Sequence, residues 1–429
     1  MYILGLNAYH ADSSACILRD GTLLAAAEEE RFRRTKHWAG FPELAIKYCL
    51  EATGIALADV DHVAINRDPR ANLWRKALFT LRQRPDPRVV LDRLRHATRW
   101  ASIDDEFRRR FPASDLRTQV RHVEHHRAHL ASAFYVSPFD DAVAVSVDGS
   151  GDFASAAWGL GKGTQVEIHG RVPFPHSLGI FYEALTQHLG FPNYGDEYKV
   201  MGLAPYGEPA YLDKLREIVE LRRDGTFRLD LRYFRFHRER RLYEWNDCAP
   251  SSGRLASDEL ERLLGPRREP EAPLDQRHKD IAHSVQRLYE EAFFNLLNRL
   301  HERYRLPRLV LAGGCAFNSV ANGKIQRETP FKSCYIQAAA GDAGGAVGAA
   351  LDTWHGAAGG GRSFVMEHAS WGPEYSDAAI EGVLSAGLAS AGERSIVLRR
   401  IDNEAAYCRE VAAAIAEGKV IGWFQGRME

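Results

Sequence analysis

The chain has 429 residues, 45% of them hydrophobic and 26% charged, with a formal net charge of −1 at pH 7. That length allows more than one domain, and that charge gives no global pull toward nucleic acid or an anionic membrane. No run of 18 apolar residues is present, so no transmembrane span is predicted. The six cysteines are scattered without a C-x-x-C pair, so a reducing cytoplasm is the expected setting. The opening "MYILGLNAYH" lacks a basic n-region and a long apolar h-region, so it is not expected to be a signal peptide. From there, "MYILGLNAYHADSSACILRDGTLLAAAEEERF" reads as three strands. The first turn holds Asp12, Ser13 and Ser14, and the second is Asp20-Gly21. Next comes an Arg-rich stretch from Arg67 to Arg121, predicted as helices with solvated basic faces. "AVAVSVDGSGDFASAAWGLGKGTQVEIHGRVPF" then repeats the three-strand plan, with Asp148, Gly149, Ser150, Gly151 and Asp152 in its first turn. "GLGKGT" is read as the hairpin turn of that second unit, since no helix pattern follows it.

Two such meanders about 140 residues apart fit an α/β chain of duplicated actin/sugar-kinase (ribonuclease-H-like) architecture. In that architecture the two turns face one another across a cleft. A helix is predicted over 278–304, where Ile281, Val285, Leu288, Ala292, Leu296 and Leu300 form one apolar stripe. "PRLVLAGGCAFNS" and "SCYIQAAAGDAGGAVGAAL" are strand–glycine–helix units. They point to parallel strands with ligands at their carboxyl ends, and Gly313, Gly314, Asn318 and Gly341 sit at those ends. Residues 355–363 read as a loop or linker.

"HVEHHRAHLASAF" places His122, His125, His126 and His129 within eight residues. On a helix, His125/His129 or His122/His126 would each share one face, with ring nitrogens able to hold one ion. A metal wants more ligands, and Asp148 and Asp342 are the natural suppliers. Two imidazoles and two carboxylates suit Fe²⁺, Mn²⁺ or Zn²⁺ better than Ca²⁺.

The series "GLNAYHADSSACILRDG", "EHHRAHLASAFYVSPFDDAVAVSVDGSGD", "SLGIFYEALTQHLGF", "GDEYKVMGLAPYG", "LAGGCAFNSVANGKI", "GDAGGAVGAAL" and "GWFQGRME" occurs in this order. It resembles the O-carbamoyltransferases of nodulation and antibiotic biosynthesis (NodU/CmcH type) over nearly the whole chain. The resemblance implies a first domain similar to the tRNA threonylcarbamoyl transferases, followed by a YrdC-like domain. It implies that carbamoyl phosphate and ATP, with Mg²⁺, are joined into carbamoyl adenylate. The carbamoyl group then passes to a hydroxyl of a sugar or natural product. It also implies Fe²⁺, or another divalent transition metal, on His125, His129, Asp148 and Asp342. Gly149, Ser150, Gly313, Gly314, Asn318 and Gly341 are the expected nucleotide contacts. His10, Asp12 and Lys199 are the expected catalytic residues; Lys199 is read as a buried ammonium because "VMGLA" follows it. Lys36 and His37, in "EEERFRRTKH", also follow the family pattern.

The expected organisation is an N-terminal carbamoyltransferase domain over 1–354, with repeats at about 1–135 and 140–354. A linker and the start of the C-terminal region occupy 355–429. "KVIGWFQGRME" reads as a strand running into a turn at which the sequence stops. The chain is therefore expected to be a fragment that does not itself make the adenylate. The expected partners are small molecules rather than nucleic acid or membrane, and a homo-oligomer is compatible. A sugar kinase of the same superfold would have no use for the histidine helix. Neutral charge and the added 205–275 and Arg-rich segments weigh against a threonylcarbamoyl transferase acting on tRNA. A non-catalytic metal- and nucleotide-binding scaffold is the third alternative.

Overall fold

Strands β1 (Tyr2–Asn7), β2 (Ser14–Arg19) and β3 (Thr22–Glu28) form an antiparallel meander, and β4 (His62–Ile65) and β5 (Val120–His122) extend it in parallel. The sheet order is β3-β2-β1-β4-β5. The same plan recurs with β6 (Asp141–Gly151), β7 (Ala154–Lys162), β8 (Gln165–Pro173), β11 (Arg308–Ala312) and β12 (Ser333–Ile336). That second sheet runs β12-β11-β6-β7-β8, so the first strand of each repeat is central. This is the duplicated actin/sugar-kinase arrangement expected from the repeated meander. A small hairpin, β9 (Val219–Leu221) with β10 (Phe227–Leu229), stands apart.

The computed structural model describes residues 1–83, 103–112, 120–238, 248–390 and 397–429. Much of the predicted Arg-rich helical stretch, and part of the 205–275 segment, lie outside the described residues. The chain divides into two compact units, Met1–Ala369 and Ser370–Glu429.

In the first unit, local sequence explains the elements. β1 is buried along nearly its whole length, as a central strand covered on both faces must be. Asp20 and Gly21 have φ of 51° and 80°, the left-handed pair that a two-residue hairpin turn demands. The β6–β7 ladder loses register between Val147 and Gly151, which frees Asp148, Gly149 and Ser150 from pairing. The predicted long helix spans Gln276–Tyr304 and is capped by Asp275. All six residues of its apolar stripe are buried, against a core that includes Val145, Phe181 and Leu311.

The helix Asp342–Ala358 is built from small residues, and this sets its position. A Cβ on Gly348 would stand 1.8 Å from the carbonyl oxygen of Ala128, and one on Gly5 of β1 would stand 2.2 Å from that of Ala346. No larger residue fits at either contact, so the helix lies directly on the histidine-bearing helix and on β1. Residues beyond it also pack on this unit. Arg362 donates to the carbonyls of Phe134, Ser137 and Phe139, and Met366 N to that of Val136.

The second unit contains the helices Asp377–Ser390 and Glu404–Ala416. Tyr407 stacks on Trp423 at 5.1 Å, and Gly372 N donates to the carbonyl of Met428. The strand expected in "KVIGWFQGRME" is not formed. The described residues of this unit offer it no ladder partner.

Candidate functional site

The histidine helix spans His125–Phe134, so it begins three residues after the first histidine of the cluster. Glu124 ends the preceding extended chain and caps the helix by accepting from Arg127 N at 2.9 Å. His122 is therefore on β5, exposed, with Nδ1 3.0 Å from the carbonyl of Arg67. This corrects the expectation that all four histidines share a helix. His126 is fully buried and points elsewhere, with Nδ1 3.0 Å from Ser146 Oγ. Burial, and then the charge of His125, lower its pKa to about 4.

His125 and His129 are left to face Asp148 and Asp342. His125 Nε2 lies 2.9 Å from Asp148 Oδ2 and 3.6 Å from Asp342 Oδ1. His129 Nε2 lies 3.7 Å and 3.4 Å from the same two atoms, and 3.1 Å from His125 Nε2. All four side chains are buried. Asp148 is placed by the β6 bulge and held by Gly314 N, which donates to its Oδ1 at 2.9 Å. Asp342 opens its helix, where the positive end of the helix dipole favours a carboxylate. His125 sits directly over Gly151, where a Cβ would come within 2.1 Å of the ring. Its backbone N–H is fixed by Asp152 Oδ2 at 2.9 Å.

Electrostatics follow from this crowding. Burial opposes charge on His129, but the attraction of the Asp148 and Asp342 carboxylates outweighs it and holds the pKa up to about 9. Burial likewise opposes ionising Asp148, yet His125 and His129 keep it well below the usual carboxylate range. Asp342 Oδ1 and His129 Nδ1 are buried without a hydrogen-bond partner among the described residues. Buried polar atoms are nearly always partnered, so an orphan carboxylate oxygen aimed at two imidazole nitrogens fits a cation. The donor spacings fit too: atoms about 2.1 Å from one ion lie roughly 3.0–3.4 Å from each other. The residues thus suit a divalent transition metal.

His10, on the β1–β2 turn, pairs through Nδ1 with Asp342 Oδ2. The first turn of the chain therefore reaches the cluster that both repeats build. Asp12 is on the same turn but hydrogen-bonds His37. Gly149 and Ser150 line the bulge, half-buried. Gly313 is glycine for a structural reason, since its φ is +89° and a Cβ would stand 2.3 Å from the carbonyl oxygen of Val147. Gly341 caps the Asp342 helix. Asn318 exchanges paired amide bonds with Gln286, each 2.9 Å, and caps the turn that follows it. The buried ammonium expected at Lys199 is not found. Lys199 is 34% exposed and its Nζ pairs with Asp196 at 2.7 Å, because Val200 turns inward while its neighbours do not.

A second carboxylate pair was not singled out from the sequence, although both members lie in the quoted motifs. Burial, then the charge of Glu183, pushes Glu197 up to about 8. Burial, and then the charges of Asp148 and Glu197, push the Cys315 thiol well above its usual value. Glu197 therefore lies within electrostatic reach of Cys315, on the Gly313-Gly314 turn whose Gly314 N–H holds Asp148.

The family model "Carbamoyltransferase N-terminus" matches residues 2–351. The chain is 38% identical to the uncharacterized protein sll1178 of Synechocystis sp., over 100% of this chain and 69% of that protein. It is 34% identical to the nodulation protein NolNO of Sinorhizobium fredii, over 99% of this chain and 57% of that one. It is also 34% identical to the nodulation protein NolO of Bradyrhizobium diazoefficiens, over 72% of this chain and 50% of that one. The chain thus spans about half the length of these two nodulation proteins. With the family model matched from β1 into the Asp342 helix, the chain belongs to the carbamoyltransferase family, of which it carries the N-terminal part.

Proposed function

We propose that this chain carries the transfer site of an O-carbamoyltransferase, which moves a carbamoyl group from carbamoyl adenylate to a hydroxyl of a sugar or natural product. The donor would be made from carbamoyl phosphate and ATP with Mg²⁺. One observation carries the reading: His125, His129, Asp148 and Asp342 converge at ligand spacing, with all four donor atoms within 4.8 Å of one another. Fe²⁺ or another divalent transition metal held there would supply Lewis-acid polarisation of the carbamoyl carbonyl. Around it the chain's own residues position the reactants. His10 fixes the second oxygen of Asp342 and leaves the first free. Gly149 and Ser150 leave an open backbone turn beside Asp148, where a nucleotide phosphate can approach closely. The His10–Asp12 turn would hold the acceptor.

Lys199, tied to Asp196, has no contact among the described residues that supports a direct part. Kinship with two nodulation proteins favours a nodulation setting over antibiotic biosynthesis. Among the described residues no helix is long and apolar enough to cross a membrane. The test is metal analysis together with a carbamoyl-transfer assay on the full-length polypeptide. Stoichiometric metal and metal-dependent transfer are expected. A metal-free protein with full transfer activity would refute the reading.

A further inference from the structure

The loop that leaves β4 is fastened to the site on both sides of one arginine. Asn66 Nδ2 donates to the carbonyl of Asp342 at 3.2 Å. Asp68 N donates to Asp152 Oδ2 at 2.8 Å, and the same oxygen accepts from His125 N. Asn72 Nδ2 donates to the carbonyl of Asp152, also at 2.8 Å. Asp152 is buried and lies in the left-handed backbone region, with φ of 45°, followed by Phe153 at 69°. Residues bearing a Cβ keep that conformation where their surroundings over-determine it, as these hydrogen bonds do. Asn66 thus touches one proposed ligand, Asp68 shares the anchor of another, and Arg67 stands between them.

The Arg67 side chain turns toward the same carboxylates. Its Nε is 3.9 Å from Asp152 Oδ1, and 34% of the side chain is exposed. That separation exceeds the about 2.7–2.9 Å of a charge-assisted hydrogen bond, so Asp152 is not a close bidentate partner. Burial draws the Arg67 pKa down, against the charges of Asp152 and then Asp342. The guanidinium therefore lies within electrostatic reach of Asp342 in the cluster. Lys76, on the helix Leu73–Gln83, donates to the carbonyl of Pro69 at 3.0 Å and adds a second positive charge within reach of Arg67 and Asp152. The loop thus brings two cations to the rim of an acidic site. Gly149 and Ser150 lie in the β6–β7 turn between Asp148 and Asp152, and a Cβ on Gly149 would meet nothing within 4 Å. A guanidinium fork beside an open backbone turn complements the oxygens of a phosphate.

We propose that Arg67 binds the phosphate of carbamoyl adenylate and keeps hold of it in AMP; this rests on the transfer reading above. A cation held by His125, His129, Asp148 and Asp342 would offset the two carboxylates, so Arg67 would face the phosphate without competition from Asp342. AMP carries about −1.5 to −2 charges at pH 7 and so makes the stronger probe of the pair. The competing role for Arg67 is that of a counter-ion to Asp152, which would affect folding and not phosphate recognition.

The test uses the full-length polypeptide and compares AMP with adenosine, which lacks the phosphate. By titration calorimetry on metal-free protein, one AMP site per chain should weaken at least tenfold in Arg67→Gln, the scale of a lost charge-assisted pair. Adenosine binding, melting temperature and the metal stoichiometry of reloaded protein should be unchanged. Arg67→Lys, which keeps a charge without the fork, should recover part of the loss. A second measurement needs no variant. Phenylglyoxal should modify Arg67 in the wild-type protein, and saturating AMP, but not adenosine, should protect it, as read by peptide mass spectrometry.

Wild-type AMP affinity in a folded Arg67→Gln protein overturns the proposal. So does an equal loss toward adenosine, which marks a structural role. Arg67 that stays modifiable under saturating AMP overturns it as well, and so does Arg67 that never reacts, since its fork would then be closed to any ligand. These outcomes leave the transfer reading standing. Wild-type protein that binds no AMP at all refutes the nucleotide part of that reading, and this proposal with it.

Discussion

His125 Nε2 and His129 Nε2 stand 3.1 Å apart on successive turns of one helix, both aimed at Asp148 and Asp342. Neither His126 nor His122 has that aim. His125→Ala or His129→Ala should therefore cut metal stoichiometry from one per chain to a small fraction and abolish transfer. His126→Ala should keep the metal but lose about 1–3 kcal/mol of stability, since it removes a buried hydrogen-bonded side chain. His122→Ala should leave stability and metal content unchanged. Elemental analysis beside thermal melts decides this, and full metal retention in both of the first two variants would overturn the ligand set.

Gly151 is the floor beneath the His125 ring. A Cβ at this residue would lie 2.1 Å from the imidazole, so Gly151→Ala must displace either the ring or the bulge. Overpacking of this kind costs about 1–3 kcal/mol. The displaced ring is a proposed ligand, so metal affinity should fall at least tenfold together with the melting temperature. A Gly151→Ala protein with wild-type metal affinity would show that the ring's seat does not matter to the site.

Glu197 supplies a pH signature away from the metal cluster. Burial, then repulsion from Glu183, raises its pKa from 4.5 to about 8. In that window the native state holds a proton that the unfolded chain releases. The contribution to stability is full below about 4.5 and is lost as pH rises toward 8. Glu197→Gln should therefore flatten the decline in melting temperature between pH 5 and 9, and stabilise the protein most at the alkaline end. Parallel wild-type and variant curves would show that Glu197 ionises normally.

What the sequence revealed, and what it hid, follows from the range of the interactions. The repeats were legible because each strand–turn–strand unit is local, down to the Asp20-Gly21 turn. The His125/His129 pair was legible because helical spacing places i and i+4 on one face. His122 was misplaced because the chain turns at Val123 and Glu124, and nothing in the histidine count marks that turn. Lys199 was read as buried from its apolar followers, yet only Val200 of that helix is buried. The seat of His125 on Gly151, the contact of Gly348 with Ala128 and the His37–Asp12 pair join residues far apart in the chain. No periodicity records such contacts. The strand expected near the chain's end failed for a similar reason, since a strand exists only with a partner.

Gly149 and Gly314 border Asp148 from two sides, so variants at the two positions test the proposed nucleotide site apart from the proposed metal site. A Cβ on Gly314 would stand 2.9 Å from Asp148 Oδ1, so even Gly314→Ala presses on a proposed ligand. A Cβ on Gly149 would meet nothing within 4 Å, and its φ lies outside the left-handed region. Gly149→Ala should therefore fold normally and keep its metal. If the bulge is where a phosphate approaches the backbone, the added methyl would occupy that approach, and affinity for carbamoyl adenylate or an ATP analogue should fall tenfold or more. Gly314→Ala should lose metal and nucleotide together. Titration calorimetry on both variants, with metal content measured on the same samples, distinguishes the two effects. Unchanged nucleotide affinity in a folded, metal-loaded Gly149→Ala protein would move the phosphate site away from the Asp148 bulge.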